Sequence, residues 1–205
     1  MKKTSLALIV IFALLVSLIV ITAVRVAEAN FMPLNIPPHS IEITADGNVT
    51  GTDSILRNGT NYEFTANISG TILVSCDNIT INGNSYCLQG NGDLYGIFLE
   101  GRQNTIIENL TINNFEYGVT YSYYHAQYSD SNNALIANNI SNNKHGILCY
   151  LDYNTTISKN IISNSSNIGI SMFLSDKIQI YGNTLLYNKL ALSVGNCQNS
   201  NVYGN

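Results

Sequence analysis

The sequence is poor in charged residues, and it contains no tryptophan and only three prolines. Charged residues make up 11% of the 205 residues, with nine Lys and Arg against thirteen Asp and Glu. No basic cluster occurs, so nucleic acid is not an expected partner, because binding to phosphates requires a basic patch. After residue 30 no window keeps the 3.6-residue periodicity of an amphipathic helix, which argues against a helical fold.

A repeat of about 22 residues fills the chain from residue 133 to residue 205. In each copy a branched apolar residue is followed three positions later by asparagine, as in Ile136–Asn139, Ile157–Asn160, Ile180–Asn183 and Val202–Asn205. A fixed period in this range is typical of stacked repeats. Within each copy the apolar residues alternate with period two, which indicates short strands. The sequence therefore predicts an all-β fold, a right-handed parallel β-helix with coils stacked about 4.8 Å apart.

Asparagine and glycine recur at positions where each predicted coil must bend. Asn139, Asn160 and Asn183 are expected to stack at one corner, because Asn tolerates left-handed backbone and its amides can pair along the axis. Gly118, Gly146 and Gly169 are expected to form a second corner, where a Cβ would not fit. These six residues are predicted to be structural.

The N-terminus has the pattern of an export signal. Met1–Lys3 is basic, Leu6–Val24 is apolar, and Ala27 and Ala29 are small residues of the kind that a signal peptidase recognises. Residues 1–29 are thus predicted to be a signal peptide cleaved after Ala29 or an uncleaved, helical membrane anchor. Either alternative places the rest of the chain outside the cytoplasm, in an extracellular or cell-surface location.

The remaining chain divides into three predicted segments. Residues 30–39 hold all three prolines and are interpreted as a linker, and residues 40–70 as the N-terminal cap and first strands. Residues 71–205 are predicted to form the β-helix. The last repeat stops within a coil, and we therefore expect the 71–205 segment to be truncated at its C-terminal end.

The segments GTILVSCDNITINGNSYCLQG and YGIFLEGRQNTIIENLTINNFEYGV carry a family resemblance. They resemble the opening coils of secreted NosD-like right-handed β-helix proteins, within the pectate-lyase-like group. The resemblance covers about residues 40–205 and implies the fold. It implies much less about function, since lyases, hydrolases, adhesins and a proposed copper-handling protein share this repeat.

One irregularity in the repeat predicts a binding loop. Gly118 and Gly146 are 28 residues apart instead of about 22, so about six residues are inserted between Tyr121 and Ser131. Insertions in solenoids form loops that often bind ligands. The candidate ligand-binding residues are Tyr123, Tyr124, His125, Tyr128, Tyr150 and Tyr153. Tyrosine combines a flat apolar ring with a polar tip, which suits stacking on sugars, although these rings could instead pack on one another.

Three aspartates are candidate metal ligands. Asp130, Asp152 and Asp176 recur at intervals of 22 and 24 residues, and a row of stacked carboxylates would need a cation such as calcium. The alternative is three Asx turns that face water. The three histidines are scattered, which does not favour a copper site. The spacing of the four cysteines does not favour disulfides, and Cys149 is expected to be a buried thiol.

These observations predict an exported, non-catalytic surface scaffold that binds an extracellular glycan or a neighbouring surface protein. No catalytic residue is identified, and no cofactor is expected apart from possible calcium. The alternatives are a calcium-dependent polysaccharide lyase or glycoside hydrolase on the same fold, and a NosD-like copper-handling protein. Contact with a membrane is expected only through an uncleaved N-terminal segment.

Overall fold

A computed structural model describes residues 40–99, 101–121 and 130–205, and all regular elements in these ranges are β-strands. The predicted signal or anchor segment and the linker lie outside them. No helix that could span a membrane is found in the described residues. The strands are β1 (Ile41–Ile43), β2 (Val49–Thr50), β3 (Ile55–Asn58), β4 (Asn61–Phe64), β5 (Ile68–Ser69), β6 (Ile72–Val74), β7 (Thr80–Asn82), β8 (Cys87–Leu99), β9 (Ile106–Glu108), β10 (Thr111–Tyr121), β11 (Ala134–Ile136), β12 (Asn139–Ser141), β13 (His145–Tyr150), β14 (Thr156–Ser158), β15 (Ile161–Ser163), β16 (Ile168–Phe173), β17 (Gln179–Tyr181), β18 (Thr184–Leu186), β19 (Leu190–Gly195) and β20 (Asn201–Tyr203).

The strands form a parallel β-helix of about six turns, as the sequence predicts. One sheet has eight strands in the order β20-β17-β14-β11-β9-β7-β4-β3, and the other has twelve. A complete coil such as β11–β12–β13 gives one strand to the first sheet and two to the second. All pairings between coils are parallel, whereas β1–β2 and β3–β4 pair antiparallel at the N-terminal end of the described fold.

Stacked columns of apolar side chains fill the interior. The column from the eight-stranded sheet consists of buried residues that are paired coil to coil: Tyr62, Ile81, Ile107, Leu135, Ile157 and Ile180. A second column from the twelve-stranded sheet is Leu88, Ile112, Ile140 and Ile162. The alternation of apolar and polar residues therefore sorts side chains to the two faces of each strand.

The predicted insertion is confirmed by the register of the coils. Tyr121 pairs with Cys149, and Ser131 pairs with Tyr153. Ten positions separate Tyr121 from Ser131, whereas four separate Cys149 from Tyr153, so the earlier coil has six more residues at this corner. Most of the insertion falls in residues 122–129, which are outside the described ranges.

The predicted asparagine column is wrong by one residue in its first member. Leu135, not Ile136, pairs with Ile157 and is buried. The inward asparagine of that coil is therefore Asn138, which is 2% exposed, while Asn139 is exposed at the start of β12. Two consecutive asparagines allowed either alignment, and only the register of the strands distinguishes them.

A ladder of buried asparagines runs along one corner through Asn138, Asn160, Asn183 and Asn205. The Nδ2 of Asn160 donates to Asn183 Oδ1 at 3.0 Å and to the carbonyl of Leu135 at 2.9 Å. Its Oδ1 accepts from the main-chain N–H of Asn138 at 2.9 Å. The same pattern recurs at Asn183. The amides therefore satisfy backbone groups that leave the strand ladder at the corner.

The ladder asparagines do not themselves take the left-handed conformation that the sequence suggested. The residue before each of them does: Ala137 has φ 55°, Lys159 has φ 59° and Gly182 has φ 64°. Other corners do use left-handed asparagines, in columns such as Asn104, Asn132 and Asn154. Turning the chain and satisfying the interior are thus separate tasks of adjacent residues.

Gly118, Gly146 and Gly169 lie within strands β10, β13 and β16, and their φ angles are not positive. They are therefore not left-handed corner residues. A Cβ on Gly118 would lie 2.6 Å from the carbonyl oxygen of Gly146, and one on Gly146 would lie 2.4 Å from that of Gly169. Their role is to permit close approach of successive coils.

The asparagine ladder yields a stability prediction. Asn160→Ala should destabilise the fold by about 3 kcal/mol, because it leaves buried main-chain groups of two neighbouring coils unsatisfied. Asn139→Ala, at an exposed position in the preceding coil, should change the free energy of unfolding by less than about 0.5 kcal/mol. Urea unfolding of both variants measures the difference, and equal losses would contradict the ladder.

Candidate functional site

Three aromatic residues form a partly exposed surface beside the corner that follows β13 and β16. We call Tyr150, Tyr153 and Phe173 the aromatic strip. The rings of Tyr150 and Phe173 are stacked, with centroids 6.0 Å apart and planes 11° apart. Phe173 is 40% exposed and Tyr153 is 38% exposed. The strip therefore presents flat apolar area to solvent.

The register of the coils builds this strip. Tyr150 and Phe173 are paired on β13 and β16, so their side chains leave the same face of the sheet. The next coil has Gly195 at this position, and a Cβ there would lie 2.6 Å from Cδ2 of Phe173. Tyr153 follows the corner, where its hydroxyl accepts a hydrogen bond from Lys177 Nζ. Glycine thus leaves room for the Phe173 ring, and Lys177 holds the Tyr153 ring.

The predicted binding residues are only partly described by the structure. Tyr150 and Tyr153 are brought to neighbouring columns, with the corner residue Leu151 between them. The other predicted ligand-binding residues lie outside the described ranges: Tyr123, Tyr124, His125 and Tyr128. Sequence reasoning missed Phe173, although its position 23 residues after Tyr150, in the same strand of the next repeat, could have identified it.

The predicted row of three aspartates is wrong. Asp176 pairs with Tyr153 and with Gln198, so it belongs to an outward column. The residue level with Asp152 in that coil is Ser175, whose hydroxyl lies 3.2 Å from the main-chain nitrogen of Asp152. The interval of 24 residues exceeds the 23 residues of this coil by one, and a shift by one residue moves a side chain to the other face.

Asp130 and Asp152 instead lie side by side inside the β-helix, where they are 0% and 2% exposed. Burial raises the pKa of Asp130 from 3.8 to about 8, and the nearby Asp152 carboxylate raises it further. Burial likewise raises the pKa of Asp152 to about 7, although hydrogen bonds from Thr155 and the Tyr153 N–H oppose this. The described residues contain no group of three His, Cys, Asp or Glu side chains that could hold a metal ion.

All four cysteines are free thiols. Cys149 is fully buried in the inward column with Met172, as expected, and burial raises the pKa of its thiol well above the usual value. Burial also raises the pKa of Cys76 and of Cys87. Reactive thiolates are thus disfavoured at these three positions.

Two open clefts flank a bulge in β8, where Gly90, Asn91 and Gly92 lie opposite the single residue Asn114. Their volumes are about 680 Å³ and 540 Å³. The larger cleft is lined by Ser40, Ser69, Gly70, Thr71, Gln89, Gly90, Asn91 and Asp93. The only aromatic residue lining the smaller one is Phe115, which is 3% exposed. Neither cleft therefore offers an exposed ring to a ligand.

Comparison with known proteins gives one match. A family model described as NosD, periplasmic copper-binding protein, matches residues 28–205. No curated protein and no solved structure matches the chain.

The burial of Cys149 predicts its chemical reactivity. Alkylation of the native protein with iodoacetamide at pH 8 should modify Cys149 at least roughly tenfold more slowly than the partly exposed Cys197, because the buried thiol neither ionises nor meets the reagent. Peptide mass spectrometry after timed quenching measures both rates, and alkylation in guanidinium is the control in which all four thiols should react. Equal rates in the native protein would contradict the buried assignment.

Proposed function

We propose, since the chain belongs to the NosD family, that it is an exported β-helix scaffold that binds a glycan through the aromatic strip. A periplasmic family agrees with the export signal in the sequence. The observation that carries the proposal is the stacked and exposed pair Tyr150–Phe173 with Tyr153 at the next corner. Aromatic rings in this arrangement offer flat apolar faces to the apolar faces of sugar rings.

The charge of the chain supports a neutral ligand. Its formal net charge is −4, and charged residues make up 11% of the sequence. Beside the strip, the ammonium group of Lys177 is already bound to the Tyr153 hydroxyl. A neutral polysaccharide therefore suits this surface better than an anionic one.

Two features support a non-catalytic role over a lyase or glycoside hydrolase. Asp130 and Asp152 are buried, and glycoside hydrolysis requires two carboxyl groups that flank the scissile bond of a bound substrate. Asp176 lies in a different column, so the aspartate row that a calcium-dependent lyase would use is not formed. The carboxyl groups that the sequence singled out therefore cannot act together on a polysaccharide.

The family description implies copper, and the described residues do not fit a copper site. Cys149 and Met172 are neighbouring soft donors in one inward column. Among the described residues, however, no three Cys, His, Asp or Glu side chains come together as ligands. His145 stacks on Tyr117 at 4.8 Å on another strand end. The proposed function therefore includes no copper step.

The proposal predicts which rings contribute to binding. Tyr153→Ala and Phe173→Ala should each weaken binding of a neutral polysaccharide by about tenfold, since one stacked ring contributes about 1.4 kcal/mol. A glycan array would select the polysaccharide, and isothermal titration calorimetry would measure the dissociation constants.

Tyr187→Ala is the matched control, because Tyr187 is 86% exposed and lies away from the strip. It should leave the affinity unchanged. Equal affinity of all four proteins would overturn the proposal. Binding of a surface protein in place of every glycan, lost in the same two strip variants, would keep the surface and replace the ligand.

A further inference from the structure

A polar cluster lies inside the β-helix next to the aromatic strip. Asp130 and Asp152 occupy one inward column on consecutive coils, which are about 4.8 Å apart. The hydroxyl of Tyr121, which is 0% exposed, interacts electrostatically with both carboxyl groups. The two acids and the phenol therefore share one interior space.

Each carboxyl group in this cluster is satisfied on one oxygen only. Asp130 Oδ1 accepts from the main-chain N–H of Arg102 at 2.8 Å. Asp152 Oδ1 accepts from the N–H of Tyr153 at 2.8 Å and from the Thr155 hydroxyl at 2.9 Å. The second oxygen, Oδ2, of each acid has no hydrogen-bond partner, and neither has the Tyr121 hydroxyl.

No described cation neutralises the two acids. The charged group nearest to Asp130 is Arg102, and its guanidinium donates to the carbonyl of Ser75 at 2.8 Å and lies 3.5 Å from Asp77. The other titratable groups that face the pair in the described residues are acidic when they ionise. They are Tyr121, Cys149 and Cys197. Two carboxylates in this space would therefore be both desolvated and mutually repelled.

We propose that Asp130 and Asp152 form a buried proton-binding pair that retains at least one proton at neutral pH, and that loss of this proton loosens the two coils that carry the aromatic strip. The main-chain N–H of Tyr153 hydrogen-bonds to Asp152, so the pair is joined directly to the strip. The effect on stability stands on the geometry of the pair alone. The accompanying effect on glycan binding rests on the proposed function.

The direction of the pH effect follows from proton linkage. Burial raises the pKa of both acids above the value of 3.8 that they have in the unfolded chain, to about 8 for Asp130 and about 7 for Asp152. Between these limits the folded protein binds more protons than the unfolded chain. Stability contributed by the pair is therefore fully present below about pH 4 and is lost progressively as the pH rises towards 8.

Thermal unfolding of the protein between pH 5 and pH 9 tests this inference. The melting temperature of the wild type should fall by about 10 °C across this range. Asp130→Asn and Asp152→Asn should each remove at least about half of that fall, because a neutral amide replaces the acid that must ionise. Asp176→Asn is the control, since Asp176 lies in the neighbouring outward column, and it should keep the wild-type dependence.

A second readout does not depend on the stability of the variants. Infrared spectroscopy of the wild type at pH 6 should show a protonated carboxylic acid that disappears as the pH is raised to 9. An ionised pair at pH 6, or the same pH dependence of melting in the wild type and all three variants, would overturn the inference. A melting temperature that rises with calcium in the wild type but not in Asp152→Asn would also overturn it, because a cation would then occupy the pair. If pH affects melting as expected but not glycan binding, the proton pair stands and its link to the proposed function fails.

Discussion

Side-chain amides inside the β-helix hold consecutive coils together where the strands end. At each corner the backbone leaves the ladder, and its inward N–H and C=O groups would otherwise lose their partners. Asparagine supplies a donor and an acceptor on one short side chain, so Asn160 can donate to the carbonyl of one coil and accept from the N–H of the same neighbour. Asn133 and Asn143 bond in the same way at other corners. The strands can be short because each corner is closed by this exchange.

Most of this fold could be predicted from the sequence, because burial imposes two periods at once. Period two separates the faces of each strand, and the 22-residue period brings like residues into columns. The errors occurred where neighbouring residues were chemically equivalent or nearly so. Asn138 and Asn139 both match the repeat, and only the pairing of Leu135 with Ile157 shows which one faces inward. Asp176 was misplaced for the same reason, since one residue of error exchanges the interior for the surface.

The candidate site was predicted less completely, because outward columns carry no packing signal. Tyr150 and Tyr153 could be selected for their chemistry, but Phe173 contributes only through its pairing with Tyr150. A β-helix converts recurrence along the chain into stacking in space, so two aromatic residues 23 positions apart become parallel rings. The interior does not depend on which side chains occupy such a column. A binding surface can therefore be built on this scaffold without any change to the core.

The interior polar cluster departs from the rule that the asparagines follow. Aspartate can accept the N–H of Arg102 or Tyr153, but when ionised it has no hydrogen to give, and its second oxygen remains without a partner. An asparagine in the same column would satisfy both of its polar atoms more readily and would not titrate. The acids are also too deeply buried to reach a substrate, so catalysis does not account for them. What distinguishes an acid from an amide in this position is its capacity to gain or lose a proton, and the residue that Asp152 holds in place is Tyr153 of the aromatic strip.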